Sequence, residues 1–183
     1  MEESSRYALT YPQLVLQAAA RGYDQAALSR LKRGHAFTLR VVDGRYRAQD
    51  VPFLCHLVRS ASIAMWHGAS EDVVLASLAH AVYAYGARRR AVADAIGPSA
   101  EKLVHAYEQS ELFDERFLRE RIANHASLSQ MERDVMLMAF ANELEDFLDQ
   151  QMAFRAGDRY RETIAGKGAL RVKLARLLGH AAL

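Results

Sequence analysis

The sequence predicts an all-α protein, a single domain of about eight to nine helices packed as a bundle. Apolar residues recur every three or four positions along most of the 183 residues, which is the period of an amphipathic helix. Only 3 prolines and 10 glycines interrupt this pattern, so long helices and short connections are expected. Hydrophobic residues make up 51% and charged residues 25% of the chain, a composition typical of a globular domain.

The first two helices have recognisable ends. Residues 10–13 form a Thr-x-x-Gln capping box, and Gly22 is a typical helix end. A second helix is predicted from Asp24 to a turn at residues 43–44. The β-branched pair at residues 41–42 leaves a short strand as the alternative, but the length of the segment favours a helix.

The stretch from residue 52 to residue 86 predicts two central helices, with a break at residues 67–69. His56 lies early in the first helix and His80 lies late in the second. Ser70, followed by two acidic residues, is a typical start for the second helix. Because that helix is apolar nearly all round, we expect it at the centre of the bundle. His80 therefore lies in the core or lines a cavity within it.

The second half of the chain continues the helical pattern. Helices are predicted at residues 88–96, 99–109 and 114–122, and a capping box at residues 129–132 begins the longest one. The chain ends in a basic amphipathic helix at residues 169–181, whose apolar stripe contains Leu170, Leu174, Leu177 and Leu178. That stripe either packs back onto its own domain or binds a protein partner, including a second copy in a homodimer.

Charge and composition limit the classes of partner. The net charge of +2 does not indicate a nucleic-acid partner. No apolar run approaches the roughly 20 residues of a membrane span, and the first residues lack the pattern of a signal peptide. A single cysteine, Cys55, fits a reducing compartment. We therefore expect a cytoplasmic protein with no membrane or nucleic-acid partner.

The connector at residues 44–51 carries two arginines around Tyr46. One interpretation is an exposed loop in which Tyr46 packs down. The other is a loop that faces an anion or a phosphate through Arg47, because a guanidinium matches such groups. A small molecule or anion is therefore one predicted ligand.

The order of motifs after this connector resembles the hydrolase domain of RelA/SpoT-type proteins, which belong to the HD superfamily. Gly44 and Arg47, the Pro-aromatic pair at residues 52–53, His56 and His80 fall in register with that pattern. Further on, the segments AIGPSAEKLVHAYEQ and MLMAFANELEDFL are similar to two later helices of the family. The resemblance covers about residues 24–150 and implies an HD-domain-like bundle.

In that family, one divalent metal is held by a histidine, a His-Asp pair and a distant aspartate. The resemblance places His56 and His80 at the two histidines, but it places Ala81 and Asn142 at the two aspartates. The family's acidic pair falls on residues 84–85, which are Ala and Tyr. With both anionic ligands missing, a dication in this site would remain uncompensated. No cofactor is therefore expected, and a divalent metal at His56 and His80 is the alternative.

Several residues remain as candidates for the site. The catalytic candidates are His56 and His80, and Asn142 and Glu145 join them as candidate metal ligands. Predicted ligand-binding residues are Arg47, His56, His80, Tyr83 and Asn142. The alternative is that His56, His80 and Asn142 satisfy one another as hydrogen-bonded core residues.

The leading hypothesis is a pseudoenzyme that has lost its metal-binding aspartates and acts as a small-molecule-binding, regulatory or interaction protein. A second hypothesis is a biosynthetic tailoring enzyme that uses the His56/His80 cavity with altered metal or metal-free chemistry. The third is a metal-dependent hydrolase of nucleotides or other phosphoesters, which the missing carboxylates disfavour.

Overall fold

The computed structural model describes residues 6–47, 51–110, 114–148 and 158–180. These ranges contain nine α-helices and no strand; an isolated bridge pairs Tyr46 with Pro52. The prediction of an all-α fold is confirmed. The helices are α1 (Tyr11–Ala20), α2 (Gln25–Val42), α3 (Phe53–Trp66), α4 (Glu71–Ala79), α5 (Arg89–Ile96), α6 (Pro98–Glu108), α7 (Glu115–Ala123), α8 (Gln130–Leu148) and α9 (Asp158–Leu177).

The helix ends form where the capping residues predict them. The Thr10 N–H donates to the Gln13 side chain at 3.0 Å, as in a capping box. At the start of α8, the N–H of Ser129 donates to Glu132 at 2.9 Å, and the N–H of Glu132 donates to the Ser129 hydroxyl at 3.3 Å. The alternative of a strand at residues 41–42 is wrong, because α2 continues through Val42 and buries it.

Helices α3 and α4 form the centre of the molecule. Every residue of α3 from His56 to Met65 is buried, as is every residue of α4 from Val73 to Ala79. Helix α4 packs against α3, α6, α2 and α8. Each fully buried large aliphatic side chain in such a core contributes about 1.5–3 kcal/mol to folding, so these two helices hold the site in a fixed frame.

Helix α4 ends earlier than predicted. It stops at Ala79, and a 3-10 turn at Tyr83–Tyr85 leads to Gly86, whose φ of 85° lies in the left-handed region. The backbone here changes to tighter hydrogen bonds, from Val82 to Ala79 and from Gly86 to Tyr83. His80 therefore caps the end of α4, beside the first turns of α3.

The C-terminal helix α9 begins at Asp158 and ends at Leu177, so its bounds differ from the predicted 169–181. It packs against α7 and α8. Leu174 is fully buried and Leu170 and Leu178 pack against the core, whereas Leu177 is 41% exposed. Most of the predicted stripe therefore packs back onto the domain. No helix in the described ranges combines the length and hydropathy needed to cross a membrane.

Candidate functional site

The connector after α2 places Arg47 over the first turns of α3. The N–H of Arg47 donates to the carbonyl of Val51, and the N–H of Phe53 donates to the carbonyl of Arg45, both at 2.9 Å. These bonds flank the Tyr46–Pro52 bridge and turn the chain back on itself. As a result, the Arg47 side chain reaches His56, nine residues later in the sequence.

Five charged or titratable side chains meet between this connector, α3 and α8. We call this group the central ion cluster; its members are Arg47, His56, Arg59, Glu145 and Asp146. Arg47 Nη1 donates to Glu145 Oε2 at 2.8 Å, and Arg47 Nη2 donates to Asp146. The Glu145 carboxylate is only 1% exposed and also lies 3.8 Å from Arg59. Two carboxylates therefore face two guanidinium groups, with Glu145 and Arg59 buried and with Arg47 and Asp146 partly exposed.

His56 contacts the same carboxylate oxygen as Arg47. Its Nδ1 hydrogen-bonds Glu145 Oε2 and lies 2.9 Å from Arg47 Nη1. Because a carboxylate oxygen only accepts, we assign the imidazole hydrogen to Nδ1, directed at Glu145. In the neutral tautomer this leaves the lone pair of Nε2 available to accept a proton or a hydrogen bond.

His80 lies next to His56, with ring centroids 5.2 Å apart and ring planes at 79°. Its Nδ1 donates to the carbonyl of Ser77 at 2.8 Å. Burial, and then the proximity of His56, lower the pKa of His80 to about 3. His80 is therefore a neutral imidazole near pH 7, and the centroid of its ring lies 5.4 Å from that of Tyr107.

The structure brings together four of the residues proposed from the sequence: Arg47, His56, His80 and Glu145. Asn142 is half-buried on α8. It precedes Glu145 by three positions, and this spacing places the two residues on one face of the helix.

Tyr83 belongs to a different group of residues. Its hydroxyl donates to Glu101 at 2.6 Å, and Arg89 donates to the same carboxylate at 2.6 and 3.0 Å. We call Tyr83, Arg89 and Glu101 the Glu101 cluster. These contacts lie outside the central ion cluster. The role of Tyr83 as a ligand-binding residue therefore remains a prediction.

Sequence reasoning missed two members of the central ion cluster, Arg59 and Asp146. Arg59 follows His56 by three positions on α3, and this spacing places it on the same helix face. Asp146 directly follows Glu145, so the sequence of α8 shows two adjacent acidic residues that could both have been considered as site residues. Which acid turns inward depends on the rotation of α8, and local spacing does not determine that rotation.

The cofactor that the resemblance implies is a divalent metal, and the side chains of the central ion cluster include possible ligands for one. Ligand atoms of His56, Glu145 and Asp146 all lie within 4.8 Å of one another. Arg47, however, donates to both carboxylates and lies against His56. Ala81 supplies no ligand atom. With Arg47 in this position, the donor set does not fit a resident metal, because the guanidinium already provides the compensating positive charge.

Among the comparisons with known proteins, the one with solved structures bears on the fold. The family described as "Domain of unknown function (DUF6817)" matches residues 40–111. No curated protein sequence matches the chain. Among solved structures, the chain is similar to a metazoan ortholog of SpoT that hydrolyses ppGpp, with a TM-score of 0.55 and 19% sequence identity. The likeness covers 85% of this chain and 87% of that one. The chain therefore shares the all-helical HD-type fold of that hydrolase.

Proposed function

We propose that this chain is a non-hydrolytic binding or regulatory protein built on an HD-type fold. The observation that supports the proposal is the position of Arg47, whose guanidinium pairs with Glu145 and Asp146 and touches His56. This basic side chain stands among the very groups that a metallohydrolase would use to hold its cation.

The energetics of the cluster argue for the same function. To bind a metal, the protein must first separate Arg47 from carboxylates that are 1% and 26% exposed. Breaking a buried ion pair by removing one partner costs about 3–5 kcal/mol. The chain also lacks carboxylates at residues 81, 84 and 85, where the resemblance expects acidic groups. Both features disfavour metal-activated hydrolysis of a phosphoester.

A small anion is the ligand that this proposal favours. Arg47 is 18% exposed, and it belongs to a connector rather than to a helix, so its guanidinium is within reach of a solute. An anion that binds there would share the guanidinium with Glu145 and Asp146, through N–H groups of Arg47 that these carboxylates do not use.

The proposal is tested by measuring the metal content of the purified chain and its hydrolysis of ppGpp and other nucleotides with added Mn²⁺. We expect about 0.1 metal ion per chain or less, and no turnover above that of His56→Ala. Stoichiometric metal together with turnover that His56→Ala abolishes would overturn the proposal.

A second candidate function is metal-free acid–base catalysis, such as a tailoring step in biosynthesis. The contact between Glu145 and Nδ1 of His56 favours it, because a carboxylate at Nδ1 orients an imidazole whose Nε2 moves a proton. The test incubates wild type and His56→Gln with the same metabolite extract. Products that form only with wild type would support this function, and identical product profiles would exclude it for those substrates.

A further inference from the structure

We infer that the end of the C-terminal helix α9 is a pH-sensitive latch, closed near pH 7 and released in mild acid. The residues that form it are Leu178 and His180 at the end of α9, and His67 in the turn between α3 and α4. None of these three residues belongs to the central ion cluster, so the inference does not depend on the proposed function.

The latch closes over a cavity of about 480 Å³, which we call the C-terminal cavity. Its walls come from three parts of the chain. The turn after α3 contributes His67 and Ser70, the first half of α8 contributes Arg133 and Asp134, and the end of α9 contributes His180. Two histidines that are distant in the sequence therefore line one cavity.

The last turn of α9 carries the moving part of the latch. The N–H of His180 donates to the carbonyl of Ala175 at 2.8 Å, and Gly179, with a φ of 89°, ends the helix in the left-handed conformation. Leu178 is half-buried against the core, whereas Leu174, one turn earlier, is fully buried. The end of α9 can therefore leave the cavity while the preceding turn stays packed.

Both imidazoles are held neutral in the closed cavity. Nε2 of His67 is buried, and no described residue forms a hydrogen bond with it. Burial, and then the charges of His180 and Arg21, lower the pKa of His67 below its ordinary value of 6.5. Burial also lowers the pKa of His180. Both rings therefore take up protons more readily when the cavity is open.

The other charged groups around the cavity favour release in acid. Arg133 lines the cavity and the charge of Arg21 acts on His67, so both arginines oppose protonation of the rings. Asp134 is the acid of the described lining, but burial and then the charge of Asp72 raise its pKa. Two arginines and two imidazolium rings would then face a single lining carboxylate, and their repulsion opens the latch.

The closed latch depends on pH in one direction. Because the pKa values of His67 and His180 are lowered in the folded chain, the closed state binds fewer protons than the open state below pH 6.5. Closure is most stable above that pH and weakens as the pH falls. Each histidine changes the opening equilibrium by at most about tenfold per pH unit.

The test is amide hydrogen exchange of the full chain, followed by NMR from about pH 7.5 to about pH 5.5. After correction for the intrinsic exchange rates, the opening constant at residues 178–180 should rise at least about tenfold across this range. Amides in the buried part of α3 should change less, because release of the helix end leaves the core closed. The imidazole resonances of His67 and His180 should titrate with midpoints below 6.5 in the same samples.

Variants assign the effect to the two rings. A double variant, with His67→Gln and His180→Gln, removes both titrating groups and should abolish the rise at residues 178–180. His35→Gln is the matched control, because burial also lowers the pKa of His35 but its ring stacks on Tyr11, with centroids 4.2 Å apart. His35→Gln should keep the wild-type rise.

Three results would overturn the inference. The first is an opening constant at residues 178–180 that does not change with pH in wild type. The second is a rise shared equally by the amides of α3, which would indicate acid unfolding of the whole chain. The third is a rise that survives in the folded double variant. The first two are measured on wild type alone, so they decide the matter even if the double variant does not fold.

Discussion

Two arginine–glutamate pairs in this molecule use the same chemical groups in different surroundings. In the central ion cluster, Arg47 meets a glutamate that is 1% exposed and that also contacts His56. In the Glu101 cluster, the carboxylate is 7% exposed, but its partner Arg89 is 56% exposed. Water can screen the second pair through the exposed Arg89, whereas it reaches the first pair much less, because Arg47 is only 18% exposed. The second pair joins the first residue of α5 to helix α6, and the first lies in the candidate site.

The largest loss of stability is expected from neutralising Glu145 in the central ion cluster. Glu145→Gln should lower the free energy of unfolding by about 3–5 kcal/mol, because Arg47 and the buried Arg59 lose their shared negative charge. Urea unfolding at pH 7 measures this change. Asp146→Asn, at a carboxylate that is 26% exposed, is the control and should cost less. Equal losses of stability in Glu145→Gln and Asp146→Asn would show that the effect does not depend on burial of the carboxylate.

The second prediction concerns the pH dependence that His80 adds beside the cluster. Its pKa in the folded chain is lowered to about 3 from 6.5, so between those values the unfolded chain binds a proton that the folded chain excludes. Stability should therefore rise with pH across this window, by at most about 1.4 kcal/mol per pH unit from this group.

His80→Gln tests that assignment, because glutamine does not titrate. The unfolding free energies of wild type and of this variant, measured from pH 4 to pH 7, should differ in slope below pH 6.5. Parallel curves would mean that His80 is protonated in the folded chain as easily as in the unfolded one.

In the Glu101 cluster the effects should be smaller. Hydrogen bonds from Arg89, and also from Tyr83, hold the pKa of Glu101 below its ordinary value of 4.5. Its contribution is therefore complete above the ordinary pKa and is lost as the pH falls through the lowered one. Glu101→Gln should cost about 1 kcal/mol near neutral pH by thermal or urea unfolding. Arg90→Ala, in a pair that is 90% and 63% exposed, is the control and should cost almost nothing.

The smallest effect is expected from Tyr83→Phe, about 0.5 kcal/mol, because Arg89 still pairs with Glu101 after the hydroxyl is lost. The same variant tests the predicted ligand role of Tyr83. If Tyr83→Phe weakens binding of an anion as strongly as Arg47→Ala does, the two clusters form one site and are not separate groups.

Local signals in the sequence predict the helices of this fold well. The capping residues at Thr10, Ser70 and Ser129 each come directly before a helix. The apolar pattern of α4 correctly places that helix at the centre. These features depend on neighbours within a few positions, so spacing and residue type suffice to predict them.

The site could be predicted only in part, because its contacts join distant segments. The family resemblance predicted that Arg47, His56 and His80 lie in one region, and Glu145 was a candidate metal ligand. The pairing of Arg47 with Glu145 and Asp146 depends on how α8 is rotated against α3, which no local pattern encodes. Tyr83 meets Glu101 instead because the early end of α4 and the 3-10 turn change its direction.

The bond from Arg47 to Glu145 spans 98 residues of sequence. Contacts of such long separation carry a large loop-closure cost and form after the local helices during folding. We therefore expect the central ion cluster to be absent from the folding transition state. Stopped-flow kinetics of Glu145→Gln should then show faster unfolding at a nearly unchanged folding rate. The cluster that defines the site would also determine how long the chain stays folded once it has formed.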